Sequence, residues 1–161
     1  MRFSQQSSQG FRPFLLYVTL NLVLLPAAIS IHEWGHWFIA YILGYRMGYV
    51  TFTLAGGCFH MSEPLRNLAD GLLIGLGGGL TVTLIFGALY SLMDWETDLV
   101  EKYVLKSYCV SQFTYAFVEG MYGLGIVDLN ALLIISNVVY PICLYGYLVW
   151  VFINLYFGGD C

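Results

Sequence analysis

The sequence predicts an all-α polytopic membrane protein of about four transmembrane helices. A short β-hairpin is expected after the first helix, and a metal site within the bundle. Three observations carry this reading. Of 161 residues, 59% are hydrophobic and only 10% are charged, where an ordinary soluble domain has about 25% charged. The apolar residues gather in long runs separated by polar or glycine-rich breaks. Within the first run sits His32-Glu33-Trp34-Gly35-His36, and ionisable groups are expensive to keep in an apolar helix unless they serve a purpose.

Composition also removes some classes of partner. The net charge of −4 is small and scattered, with no basic tract, so nucleic acid is not an expected partner. Cys58, Cys109, Cys143 and Cys161 lie far apart and form no C-x-x-C pair, so no disulfide framework is expected. The partners the composition does imply are membrane lipid and other membrane proteins.

Residues 1–13 are polar and read as a flexible tail. They lack a small-residue cleavage site after a short apolar core, so no cleaved signal peptide is expected. Residues 14–161 read as a single membrane-embedded domain. The apolar run from Phe14 to Tyr45 would extend about 45 Å as a helix, beyond a hydrocarbon core of about 30 Å. Pro26 predicts a kink or break, dividing it into a segment over 14–25 and a helix over 28–43 that together make one tilted span. Tyr49 to Leu54 is rich in β-branched and aromatic residues and is followed by Gly56-Gly57. That pattern predicts a hairpin with the glycines at its turn and Pro64 closing it. An open edge of such a hairpin can pair with an extended peptide.

Residues 68–93 form a second span in which Gly71, Gly75 and Gly79 recur every four residues. This small-residue face is expected to pack against the metal-bearing helix. Asp94, Glu96, Asp98, Glu101, Lys102 and Lys106 mark a solvated connection, with Trp95 at the interface. Residues 103–122 form a more polar third span carrying Gln112 and Glu119, whose side chains should face the bundle interior or water. Residues 129–157, interrupted by Pro141, form the fourth. Arg2, Arg12, Lys102 and Lys106 would lie on one side and Arg46 and Arg66 on the other, which places both termini in the cytoplasm.

On a helix, residues four apart share a face, so His32 and His36 can aim at one atom. Two neutral imidazoles converging in this way make half of a zinc site. Glu33, one residue along, is placed to act on water as the catalytic base. A catalytic zinc commonly takes three protein ligands, and the candidates for the third are Asp128, Glu119 and His60. Asp128 leads because it follows a glycine-rich break that can carry a carboxylate into a polar cavity. As an aspartate before a helix it also reads as an N-cap.

His32-Glu33-Trp34-Gly35-His36, with Ala40 and Gly44, resembles the H-E-x-G-H-x-x-x-A-x-x-x-G pattern of the site-two protease family of intramembrane zinc metalloproteases. The β-like segment ending in Gly56-Gly57 and the Gly77-Gly78-Gly79 stretch are also similar to features of that family. The resemblance covers roughly residues 28–140, and its specific part is the first motif. It implies His32 and His36 as zinc ligands, Glu33 as general base and Asp128 as the aspartate from a later span. Around Asp128 the sequence departs from the family's Leu-Asp-Gly: Val127 precedes the aspartate, Leu129 follows it, and the family's upstream Asn and Pro are missing. The implied activity is hydrolysis of peptide bonds in transmembrane protein substrates. The alternative is a non-proteolytic relative serving as a small subunit of a larger membrane complex.

Overall fold

The computed structural model describes residues 3–46, 48–53, 56–94 and 99–135, together with positions 138, 142, 145, 146, 149, 150 and 153. The element order is α1 (Phe3–Ile42), β1 (Tyr49–Thr53), β2 (Gly56–His60), α2 (Leu68–Ser91), α3 (Leu99–Gly123) and α4 (Leu129–Ile134). The fold is therefore mostly helical, with one two-stranded antiparallel sheet.

The break expected at Pro26 is absent, and α1 is one helix of 40 residues. A proline removes a single ladder bond, and the flanking turns hold: Asn21 Nδ2 donates to Tyr17 O at 2.9 Å and Ser30 Oγ to Pro26 O at 2.8 Å. The helix begins at Phe3, inside the stretch read as a tail. Among the described residues, two helices are long and apolar enough to cross a membrane, over Phe14–Ile42 and Leu68–Ser91. At 25 residues α3 is as long as α2, but it carries Glu101, Lys102, Lys106 and Glu119. Lys102, expected in a wet loop, is buried, and its Nζ lies 5.1 Å from the centre of the Tyr90 ring. Trp95 and most of the expected fourth span after α4, including Pro141, lie outside the described residues.

Helix α1 ends in a Schellman turn. Gly44 has φ 78°, Tyr45 N donates to Ala40 O and Gly44 N to Tyr41 O, both at 3.0 Å, which satisfies carbonyls the helix leaves open. Arg66 completes this end, donating from Nη2 to Gly44 O at 2.6 Å and from Nη1 to Leu43 O at 3.3 Å. The same arginine lies over the Tyr45 ring, and Tyr45 OH donates to Asp70 Oδ2 at 2.6 Å in the first turn of α2. The Arg46 backbone N–H, with help from the Arg66 charge, holds the Glu63 carboxyl below its usual range. The end of α1 is thus tied to the start of α2.

The glycines of α2 divide between two neighbours. A Cβ at Gly75 would meet the Glu119 backbone, with Glu119 C at 2.7 Å, and one at Gly79 would meet Gln112 O and Ala116. Gly71 faces Gly123 in the same way. So the every-fourth-residue face packs on α3, against the expectation that it would meet α1. The helix that carries the His pair is met by Gly77 and Gly78: a Cβ at Gly77 would lie 2.6 Å from Ile39 Cγ1, and Gly35 of α1 sits against Gly77 and Thr81 in return. The repeat of four predicts a close helix contact but does not name the partner. Farther along, Ala28, Val82, Phe86, Val104, Leu105 and Tyr108 form a core shared by the three helices. There Thr83 Oγ1 donates to Cys109 O at 3.3 Å and Tyr108 OH to Asn21 Oδ1 at 3.3 Å.

Gly75→Ala should lower the midpoint of thermal unfolding in detergent, because its Cβ meets backbone that cannot give. Gly87→Ala, where the nearest atom is Cys109 Sγ at 4.0 Å, should leave the midpoint unchanged or raise it, since alanine is favoured over a mid-helix glycine by about 0.5–1 kcal/mol.

Candidate metal centre

His32 and His36 are on successive turns of α1 and are both buried. Their Nε2 atoms lie 3.1 Å apart. From α3, Glu119 brings Oε2 to 3.0 Å from His32 Nε2 and 3.5 Å from His36 Nε2. The ligand atoms of these three side chains all fall within 4.8 Å of one another. Donors about 2.0–2.1 Å from a tetrahedral zinc stand about 3.3 Å from each other, so the observed separations suit one shared cation.

The opposite ring nitrogens explain why these atoms are free to ligate. His36 Nδ1 lies 2.6 Å from Ile74 O, a carbonyl that only accepts, so Nδ1 carries the proton and Nε2 presents a lone pair. His32 Nδ1 lies 2.8 Å from Gln112 Oε1, which orients that ring in the same sense. Two lone pairs and a carboxylate therefore converge, and acceptors do not satisfy one another. Glu119 Oε2 is buried and makes no hydrogen bond, an orphan that a bound cation would satisfy.

Space at this point comes from Gly78. A Cβ there would meet His36 Nε2 and would sit 2.6 Å from His36 Cε1 and 2.7 Å from His32 Nε2. Phe59 of the hairpin stacks near His36, with ring centres 6.4 Å apart, and Tyr115 lies by His32 at 5.6 Å. Glu33 is buried on α1 next to the pair. Its carboxylate accepts from the backbone N–H of Phe59 on β2.

Of the candidates for third ligand, the structure brings Glu119 to the histidines and places Asp128 elsewhere. Helix α3 runs on past Glu119 to Gly123 and ends in a second Schellman turn at Gly125, φ 72°. Asp128 lies beyond it, exposed, and caps α4 by accepting from Ala131 N at 2.8 Å. His60 is on β2, where Nε2 lies 2.9 Å from Thr51 Oγ1 and the ring stacks on Tyr49. Cys58 is exposed on the hairpin. Gly78 belongs to the Gly77-Gly78-Gly79 stretch that the resemblance picks out, although its place against the His pair is not read from it, and the partnership of Gln112 with His32 has no motif to announce it. One usable signal is that Gln112, Ala116 and Glu119 lie at i, i+4 and i+7, which puts two polar groups and a small residue on one helix face.

Compared with known protein families, with characterised proteins and with solved structures, the chain matches none.

Glu119→Ala and Gly78→Ala should each abolish stoichiometric metal in the purified protein, measured by elemental analysis. Asp128→Ala should keep the metal and lower stability by about 1 kcal/mol, the usual effect of losing an N-cap.

Proposed function

We propose that the chain is a membrane-embedded zinc metalloprotease that hydrolyses peptide bonds of transmembrane protein substrates. His32, His36 and Glu119 hold the metal and Glu33 is the general base. The observation that carries this reading is the convergence of three buried acceptors beside a fourth ionisable residue that is not needed to hold a cation. Two imidazoles and a glutamate are a zinc ligand set that leaves a position open for chemistry. Helices α1 and α2 cross the membrane on this reading, which sets the site within it, since His32 and His36 lie inside the apolar Phe14–Ile42 segment.

A zinc ion bound here supplies Lewis acidity, lowering the pKa of water towards about 7 and polarising a peptide carbonyl. The rest of the chemistry falls to the chain. The Glu33 carboxylate accepts a proton from the attacking water as its oxygen bonds to the carbonyl carbon. It returns that proton to the amide nitrogen as the C–N bond breaks. Gln112 and the Ile74 carbonyl hold the two imidazoles in the tautomer and orientation that ligation needs. A helical substrate buries its peptide bonds in its own hydrogen bonds and must be extended to react. Because β2 turns the Phe59 N–H towards Glu33, the outer edge of β1 is the one left for an extended segment to pair on.

Glu33→Gln should retain metal while cleavage of a transmembrane substrate in detergent or liposomes falls by about 10²–10⁴. Gln112→Ala should weaken metal binding by about 10–100-fold. A wild-type protein that keeps its metal, cleaves no helical substrate and copurifies with a fixed set of membrane subunits would instead support the non-proteolytic role.

A further inference from the structure

We propose that the hairpin positions the Glu33 carboxylate, and that Gly57 is the positioning residue through which it does so. For its kinetic consequence the inference rests on the proteolytic reading above; the seat itself does not.

The side chain of Glu33 lies against β2 at Gly57, one of the strand's two glycines; the other, Gly56, has nothing within 4 Å of its Cβ position. A Cβ at Gly57 would meet Glu33 Cγ and would come within 3.0 Å of Cδ and 3.1 Å of Oε1. Two residues on, the Phe59 N–H donates to the same carboxylate. Gly57 and Phe59 pair with Phe52 and Val50 on β1, and residues two apart on a strand direct their backbone groups to the same edge. The face of β2 at Gly57 thus gives Glu33 a vacancy and the strand's edge at Phe59 gives it a donor.

Backbone conformation does not explain the glycine. The positive-φ glycines are Gly44, Gly56 and Gly125, and Gly57 is not among them. A glycine inside a strand weakens it unless another group approaches closely there, and Glu33 is that group. Its neighbours on α1 are fixed in other ways, His32 by Gln112 and His36 by Ile74 O. Gly57 and the Phe59 N–H are the hairpin's backbone support for the base, while the Phe59 ring also stacks near His36.

The test is a double-mutant cycle in the full-length, metal-loaded protein: wild type, Gly57→Ala, Glu33→Ala and the double variant, each read for thermal midpoint and metal content. The Gly57→Ala midpoint should fall in the wild-type background and stay unchanged in the Glu33→Ala background, where the space has been vacated, with metal content constant throughout. In the cleavage assay Gly57→Ala should lower kcat by about 10²-fold with KM nearly unchanged. An equal loss of midpoint in both backgrounds would overturn the inference, because the alanine would then be harming the hairpin alone. Coupled midpoints with an unaltered kcat would overturn the positioning role. Coupled midpoints in a protein whose wild type cleaves no peptide would establish the seat and remove the proteolytic reading instead.

Discussion

Two imidazole nitrogens and a carboxylate oxygen, held about 3 Å apart out of water, repel one another unless something positive lies between them. That constraint orders the structure around it. A protein that forces three acceptors together needs backbone and side chains stiff enough to resist their separation, and such stiffness is visible on every side. The Ile74 carbonyl and Gln112 lock the rings from behind. Gly77 and Gly78 bring α2 under the histidine turns, and Gly75 and Gly79 bring α3 up to α2 so that Glu119 can reach across. Exchanging one of these glycines for a larger residue therefore acts on the site from a distance, by moving a helix.

The same constraint gives the hairpin and the junction beside it a role. A helix pair that meets only through glycines has little side-chain volume with which to fix its axial register. Here α1 is held on α2 at one end by Arg66, Tyr45 and Asp70, and α2 on α3 farther along by the packing of Phe86 on Tyr108, with ring centres 5.7 Å apart. Between these two anchors the His pair, Glu119 and Gln112 are held in line. The hairpin then closes over Glu33, so each ionisable group of the site is held by a different structural element.

Much of this was legible in the residues, and the limits have physical causes. The i, i+4 histidine pair in an apolar run announces itself, because helical geometry alone puts the two rings on one face. The hairpin was also readable, although Gly56 and Gly57 prove to be in β2 and not at the turn. At Pro26 the helix does not break, because a helix with packed neighbours tolerates one missing bond. The third ligand stays open among Asp128, Glu119 and His60 because sequence gives no distance between residues on different elements, whether 24 or more than 80 positions apart. Asp128 had the better local context, but that context is a cap for α4. Glu119 comes within reach of the His pair through the α3 face that meets α2, and this depends on the glycines pairing with α3, a partner choice that periodicity does not encode.

X-ray absorption at the zinc edge of the purified, zinc-loaded protein tests the central claim most directly, since it reads the atoms around the metal. The account predicts nitrogen and oxygen donors at about 2.0–2.1 Å with two imidazoles in the shell, and an altered shell in Glu119→Gln. A sulfur shell at about 2.3 Å, or a spectrum unchanged by Glu119→Gln, would contradict it.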